Sequence, residues 1–537
     1  MAATIVEVVA SQQTRFDARW RKPRGKAETG LFLAALLSGL AYIGVHVARD
    51  LSTVSVASVW PYLLLGSALA IALGFEFVNG FHDTANAVAT VIYTNSLTPR
   101  VAVVWSGFCN LTGVLLSSGT VAFAVIALLP IELILKVSSG AGFSMIFALL
   151  IAAMLWNLGT WYLGLPASSS HTLVGSIIGV GVANQLMNLH SGVSGVDWTQ
   201  AVKVLKVLLI SPLLGFTLAA LLIFAGKRLV RYESLYKAPE NNQPPPWPIR
   251  ALLLVTCTGV SFFHGSNDGQ KGMGLITLIL IGTIPSAYAL NHAMSPMETQ
   301  SFLAASQQVV QILDRHTDPS GAPGADPRAV VTASIRTRQV RPDTIPALRA
   351  LVNEVSRELA MYKDFKSIPG PDQANVRNDM YLTREALPAM IRAHNPVFTA
   401  AESVALTKYM GMLDKSTKFI PDWVKVAVAL ALGLGTMVGW KRIVVTVGER
   451  IGKEHLSYAQ GASAELVAMG TIFAATAWGL PVSTTHILSS GVAGTMAANG
   501  NGLHLSTVRN IAAGWVFTLP AAAALSGVLY FVFHTIF

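Results

Sequence analysis

The chain has 537 residues, of which 52% are hydrophobic and only 12% are charged, and its mean hydropathy is +0.52. Soluble domains carry about twice that share of charge, so the composition excludes an ordinary soluble enzyme or binding domain. The net charge of +10 does not indicate binding to nucleic acid, because Lys and Arg gather in short segments beside apolar runs, at 15–26, 227–250 and 441–453. That distribution is typical of cytoplasmic loops in membrane proteins.

Apolar runs approach or exceed the roughly 20 residues that a helix needs to cross a bilayer. The clearest cover 30–49, 62–78, 101–129, 143–163, 203–226 and 508–534. They do not alternate as the strands of a membrane β-barrel would, and the first run lacks a small-residue cleavage site, so we expect an uncleaved helix there. We therefore predict an all-α polytopic membrane protein in a lipid bilayer, with about 10–12 membrane segments.

Two pairs of motifs show that the chain contains an internal duplication. The segment "NGFHDTANAVAT" at 79–90 is matched by "GSNDGQKG" at 265–272, and "GLPASSSHT" at 164–172 is matched without a gap by "GLPVSTTHI" at 479–487. The second copy carries about 130 more residues between its motifs, and the polar composition places these extra residues in one insert.

The duplication predicts five segments. They are an N-terminal tail with a first membrane helix (1–61), membrane repeat 1 (62–249), the start of membrane repeat 2 (250–292), an extramembrane insert (293–420) and the remainder of repeat 2 (421–537). The insert carries no catalytic motif, so we expect a structural or regulatory role for it.

An odd number of apolar blocks, five, separates the two repeat starts, so the second copy should enter the membrane from the opposite side. Inverted repeats with discontinuous helices are a recurring architecture of secondary transporters. Counting from a cytoplasmic N-terminus places the insert outside.

Both Gly-Leu-Pro motifs predict a helix that begins again after a break, because proline suits a first turn and Ser or Thr caps free N–H groups. Helix N-termini favour anions. Two such starts that face each other would form an oxyanion site, with hydroxyl donors from Ser168, Ser169, Ser170, Ser483, Thr484 and Thr485.

Asp83 and Asp268 would repel an anion that bound alone. They fit a site in which cations travel with the anion, because carboxylates bind hard cations or carry protons. The combination therefore predicts cotransport of an anion with a cation, and a divalent cation would use these two residues as its metal ligands.

At this point the residues resemble the inorganic phosphate transporter (PiT) family. "HDTANA" at 82–87 is similar to that family's NDxANA signature, "GSNDGQKG" to its second copy, and the two Gly-Leu-Pro motifs to its paired serine/threonine motifs. The resemblance covers about 62–292 and 421–534. Its closest pattern is that of the bacterial branch that moves neutral metal–phosphate complexes with protons. His82 and Lys271 depart from the usual pattern, since the family usually has Asn at the first position and sodium-coupled members usually have Asn at the second.

The resemblance implies a protein of the bacterial inner membrane that transports inorganic phosphate with a co-transported proton and a divalent cation such as Mg²⁺, without a covalent cofactor. The resemblance implies Ser169, Ser170, Thr484 and Thr485 as phosphate donors, and Asp83, Asn86 and Asp268 as cation or coupling positions. Together with the helix-start argument, we predict a phosphate-binding set of the six hydroxyl residues with Asn86, Asn267 and Lys271. The candidates for cation or proton coupling are Asp83, Asp268, His82, Glu76, Glu465, His171 and His486. An ammonium at 271 would repel sodium, so we predict proton coupling.

Several alternatives stay open. A sodium-coupled symporter, a carrier of another oxyanion such as sulfate, and a passive channel fit the same architecture, and an intramembrane enzyme is disfavoured because a catalytic site rarely needs its motif twice. The hydroxyl residues and histidines could also act only as helix caps and packing groups. A homo-oligomer is left open by the sequence.

Overall fold

The computed structural model describes residues 25–52, 60–129, 134–135, 140–188, 195–239, 244–317, 326–393 and 397–536. Most of the predicted N-terminal tail, residues 1–24, lies outside this range. Within the described residues the secondary structure is helical except for one isolated bridge between Gly452 and Leu503.

The first half of the chain contains eight described helices. They are α1 (Lys26–Leu51), α2 (Trp60–Asp83), α3 (Ala85–Tyr93), α4 (Pro99–Leu115), α5 (Thr120–Ile126), α6 (Gly140–Tyr162), α7 (Ser169–Met187) and α8 (Trp198–Leu229).

The second half begins with the longest helix and contains the insert. Its helices are α9 (Trp247–Thr283), α10 (Pro285–Tyr288), α11 (Pro296–Arg315), α12 (Pro327–Thr337), α13 (Thr344–Tyr362), α14 (Gly370–Ala393), α15 (Ala400–Thr417), α16 (Asp422–Thr436), α17 (Lys441–Val445), α18 (Tyr458–Ala477), α19 (Thr484–Asn499) and α20 (Leu505–Ile536).

Among the described residues, six helical segments are long and apolar enough to cross a membrane. They are α1, the joined pair α2–α3, α6, α8, α9 and α20. Two further pairs, α4–α5 and α15–α16, reach that length together but bend by 77° and 68° at a short break. The predicted all-α membrane class is confirmed, whereas the total of ten to twelve segments also needs shorter helices and stays a prediction.

The two halves pack reciprocally around the short helices that follow the Gly-Leu-Pro motifs. Helix α8 of the first half packs along α19 of the second, and α20 of the second half packs along α7 of the first. Each half therefore covers the other's motif helix, as expected for a duplicated chain. The predicted inversion of one copy stays a prediction.

Gly, Asn and Asp are poor helix formers, so the sequence predicts that both acidic motifs interrupt their helices. This prediction is wrong for 265–272. Helix α9 runs through this motif without a break, and the first motif shows only a one-residue turn at Thr84. The glycines of α9 serve close packing instead, because a Cβ at Gly265 would overlap the backbone of Asn110 in α4, and one at Gly269 would overlap Val114. The breaks occur instead at the Gly-Leu-Pro motifs and between α4 and α5.

Helices α11–α15 form the part of the chain predicted as an insert. They share a hydrophobic core of their own, to which Phe302, Leu348, Met380 and Tyr409 belong. The exact boundaries 293–420 stay a prediction.

Candidate functional site

The two Gly-Leu-Pro motifs start helices α7 and α19, as the sequence predicts. Ser168 Oγ accepts a hydrogen bond from the backbone N–H of His171, and Ser483 Oγ accepts one from that of His486, both at 3.1 Å. Gly164 and Gly479 precede these starts with φ angles of +68° and +65°, a conformation that glycine adopts without steric cost. Ser168 and Ser483 are thus helix caps, and the hydroxyl residues after them face the interior.

The two helix starts meet in one buried region. Ser170 Oγ donates to the carbonyl oxygen of Val482 at 2.6 Å, and the rings of His171 and His486 lie 4.4 Å apart between centroids. The two hydroxyl triplets therefore share one region, which the sequence argument for an oxyanion site requires.

Asp83 joins the two helix starts. Its Oδ2 accepts a hydrogen bond from Ser169 of α7 at 2.7 Å, and its Oδ1 accepts one from Thr485 of α19 at 2.8 Å. His82 Nδ1 lies 2.9 Å from Oδ1, and the other ring nitrogen contacts Thr160 at 3.1 Å. One buried carboxylate is thus held by hydroxyls from both halves of the chain.

Asp268 lies beside this arrangement and carries an ion pair. Lys271 Nζ is 2.7 Å from Asp268 Oδ1 and donates to Ser170 Oγ at 2.5 Å. Both charged side chains are about 1% exposed, and burial of this kind is costly unless the charges are paired. Lys271 therefore connects the acidic motif of α9 to the hydroxyl triplet of α7.

His264 lies between the two carboxylates. Its Nε2 is 3.7 Å from Asp83 Oδ2 and 3.8 Å from Asp268 Oδ2. One ligand atom from each of these three residues lies within 4.8 Å of the others. Carboxylate oxygens and an imidazole nitrogen form a donor set that suits a divalent cation.

The two predicted amide residues play different parts. Asn86 donates to the hydroxyls of Thr484 and Thr485 at 3.2 and 3.0 Å, so it belongs to the cluster. Asn267 donates to Thr476 and to the carbonyl oxygen of Leu480, at 3.0 and 3.2 Å. Asn267 thus holds the loop that leads into α19.

The two predicted glutamates lie in separate buried environments. Glu465 of α18 accepts hydrogen bonds from Thr90 of α3 and Thr256 of α9. Glu76 packs against Gly272, one residue after Lys271, and its carboxylate oxygens are buried without a hydrogen-bond donor among the described residues. Glu76 thus borders the Asp268 pair, whereas Glu465 forms a second acidic centre with two hydroxyls.

Sequence reasoning missed the residues that orient His264. Asn110 Oδ1 lies 2.9 Å from His264 Nδ1, and the Asn110 amide donates to Thr436 Oγ1 at 3.0 Å. Both residues are buried polar side chains in otherwise apolar helices, which is the signal that could have found them.

The chain matches one family of known proteins over most of its length. The model described as the phosphate transporter family matches residues 79–526, which include all four motifs. The chain belongs to this family. The family is one of transporters, so the intramembrane enzyme is excluded and the predicted family resemblance is confirmed.

Similar proteins come from several bacteria. The chain is 41% identical over 489 residues to the low-affinity inorganic phosphate transporter PitA of Escherichia coli, with 88% of this chain and 96% of that protein covered. It is 38% identical to PitB of the same species, with 88% and 97% covered, and 27% identical to a probable low-affinity inorganic phosphate transporter of Bacillus subtilis, with 87% and 96% covered. A solved structure titled "The sodium-dependent phosphate transporter" matches with a TM-score of 0.48 and 18% identity, covering 88% of this chain and 100% of that one. The bacterial relatives and the apolar helices support the predicted multi-pass location in the inner membrane.

Proposed function

We propose that this chain is a secondary symporter that moves inorganic phosphate, as a divalent metal–phosphate complex, across the bacterial inner membrane with protons. Phosphate is the substrate named for the relatives at 36–41% identity. The observation that carries the proposal is the single carboxylate, Asp83, held by hydroxyls from two facing helix starts beside the Lys271–Asp268 pair.

The hydroxyls and helix starts supply the anion-binding part of the proposal. The first turns of α7 and α19 contain four hydroxyl residues, Ser169, Ser170, Thr484 and Thr485. Backbone N–H groups and the helix dipole favour an oxyanion at such positions. Phosphate oxygens would replace Asp83 as acceptors of the Ser169 and Thr485 hydrogen bonds.

The acids supply the cation-binding part. Asp83, His264 and Asp268 would hold the divalent ion of a metal–phosphate complex, and a neutral complex would cross a low-dielectric interior at less cost than a bare anion. Magnesium prefers oxygen ligands and keeps several waters, so the phosphate oxygens would complete its coordination.

Lys271 supports proton coupling over sodium coupling. Its ammonium lies 2.7 Å from an oxygen of Asp268, where it competes with a sodium ion for that carboxylate. Sodium coupling is the second candidate, because among the described residues no lysine ammonium forms an ion pair with Asp83, the other carboxylate of the site.

Uptake of radiolabelled phosphate into proteoliposomes tests the proposal. We expect accumulation under an inward proton gradient, a requirement for magnesium, inhibition by arsenate and no inhibition by sulfate. Accumulation under a sodium gradient without any response to a proton gradient would mean that sodium, and not the proton, is the coupling ion. Flux without accumulation would indicate a channel.

A further inference from the structure

The two halves differ in the interface that supports the Gly-Leu-Pro loops. Beside the first loop, α20 of the second half packs against α6 of the first half, and two tryptophans lie in this contact. Trp156 Nε1 donates to Thr518 Oγ1 at 3.1 Å, and Trp515 Nε1 donates to the carbonyl oxygen of Pro166 at 2.9 Å. The first loop therefore rests on an indole.

The second half has small residues at the matching positions. Trp156 lies eight residues before Gly164, and Thr471 lies eight residues before Gly479. Trp515 lies five residues before the in-helix proline of α20, and Val207 lies five residues before that of α8. Both indoles of the first interface are thus missing from the second, where α8 packs against α18.

A groove of about 480 Å³ lies between α8 and α18, where the first interface has its indoles. Thr471 and Val207 both line it. The other lining residues are nearly all apolar and include Leu214, Leu466, Gly470, Leu480 and Val482. Trp478 also lines the groove, but its side chain is 76% exposed, so its indole does not fill the space. Water is disfavoured there, because a buried water needs two to four polar partners.

The groove opens onto a face of α8 that hydrocarbon would cover. Helix α8 is the most apolar of the candidate membrane helices, with a mean hydropathy of 2.5 in its best window, and the groove lies along its middle. Leu209 and Leu213, on the same stretch, are 70% and 63% exposed. The groove is therefore continuous with the lipid-facing surface of the protein.

We propose that the acyl chain of a membrane phospholipid occupies this groove and supports the 479–482 loop as Trp515 supports the first loop. The loop leads directly to the site, because the Val482 carbonyl accepts from Ser170 and the Leu480 carbonyl accepts from Asn267. Binding of the lipid is independent of the proposed function, and only its effect on uptake rests on that function.

Photolabelling tests the lipid site without any need for transport. The full chain is reconstituted in phosphatidylethanolamine and phosphatidylglycerol vesicles with a trace of phospholipid that carries a diazirine in mid-chain, and labelled peptides are mapped by mass spectrometry. We expect label on 466–482, and loss of most of that label in Gly470→Leu. A Cβ at Gly470 meets no atom within 4 Å, so leucine can fill the groove without a clash.

Two further variants make the test specific. Gly159→Leu is the matched control, because Gly159 of α6 also has open space around its Cβ and lies outside the groove; it should keep the label on 466–482. The double variant Val207→Trp/Thr471→Trp places indoles at the positions that match Trp515 and Trp156. Its phosphate uptake should depend less on the acyl-chain length of the vesicle lipids than wild-type uptake does.

Two results would overturn the proposal. One is label on 466–482 that is equal in the wild type, Gly470→Leu and the double variant. The other is efficient chemical crosslinking of Val207→Cys chains to each other in the same vesicles without lipid label, which would assign the groove to a second copy of the chain. If the wild-type protein is labelled on 466–482 but takes up no phosphate, that result would count against the proposed function alone.

Discussion

Two ion pairs, one in the membrane part and one in the insert, are built in opposite ways. Lys271 and Asp268 are both about 1% exposed and meet through one contact of 2.7 Å. Arg328 and Asp379 meet through two hydrogen bonds of 2.6 and 2.9 Å, and the arginine side chain is 41% exposed. The insert pair is bidentate and its arginine is partly exposed, whereas both members of the membrane pair are buried.

The difference lies in what each carboxylate has left to bind. Both oxygens of Asp379 accept from Arg328, so that carboxylate is saturated. Asp268 Oδ2 has only His264 nearby, at 3.8 Å, and no hydrogen-bond donor among the described residues. A costly, unsaturated pair beside a second acid indicates a site kept for ligands, while a saturated pair indicates structure.

The largest expected effect comes from Asp268→Asn. The change leaves the buried ammonium of Lys271 without its carboxylate. Breaking a buried ion pair from one side lowers the free energy of unfolding by about 3–5 kcal/mol. The change also removes a proposed cation ligand, and we expect uptake per folded molecule to fall by about 100-fold, which corresponds to about 2.8 kcal/mol of lost binding free energy. Radiolabelled uptake in proteoliposomes measures this loss. Asp422→Asn, at a side chain that is 97% exposed, should keep wild-type uptake.

Glu465→Gln should separate coupling from binding. Glutamine keeps an acceptor for one of the hydroxyls of Thr90 and Thr256 but cannot carry a proton. We expect accumulation driven by a proton gradient to disappear, while exchange of internal for external phosphate continues, because exchange requires no net proton movement. Equal loss of both activities would make Glu465 part of the binding site or of the fold.

Lys271→Asn should weaken uptake by roughly tenfold, less than Asp268→Asn does, because Asp268 retains His264 as a neighbour and a buried carboxyl can become neutral by taking a proton. The variant should elute as a folded protein in size-exclusion chromatography. Combining it with Asp268→Asn should restore part of the stability lost in either single variant. Wild-type uptake in Lys271→Asn would remove the lysine from the mechanism.

Asp379→Asn should affect stability and leave transport intact. The change weakens a bidentate, charge-assisted contact with Arg328, and hydrogen bonds to charged groups contribute about 1.5–3 kcal/mol. We expect a lower unfolding temperature in differential scanning fluorimetry with unchanged uptake per folded molecule. A loss of uptake at full stability would mean that the insert takes part in transport.

The smallest effect is expected at Glu298, in the first turn of α11. The Lys415 ammonium and the donors of Ser295 lower the pKa of this carboxyl to about 2. A lowered pKa stabilises the folded state above the ordinary value near 4.5, and this contribution is lost as the pH falls towards 2. Glu298→Gln should therefore slightly lower the unfolding temperature at pH 7 and make no difference near pH 2. Equal shifts at both pH values would contradict this origin.

The parts of the site that follow local rules could be predicted from the sequence. A Gly-Leu-Pro break followed by Ser or Thr predicts a capped helix start, and Ser168 and Ser483 cap α7 and α19 as expected. The class of protein followed equally from the length of the apolar runs. The sequence pattern also predicted that the two hydroxyl triplets would meet.

Contacts between distant elements could not be predicted in this way. Glycine in "GSNDGQKG" weakens a helix locally, but close packing of α4 against Gly265 and Gly269 outweighs that cost, so α9 stays continuous. The contact of Asn110 with His264 joins residues 154 positions apart, and no local pattern indicates which buried amide faces which histidine. The sequence also does not show that Trp156 and Trp515 lie in the same interface, so the difference between the two related interfaces appears only in the structure.

The two hydroxyls on Asp83 also constrain how the molecule can move. Ser169 belongs to one half and Thr485 to the other, so a rearrangement that draws α7 away from α19 has to release at least one of them. An incoming solute that takes over these donors from the carboxylate would lower the energy of separation. Occupancy and opening are then linked thermodynamically, and each must favour the other to the same extent.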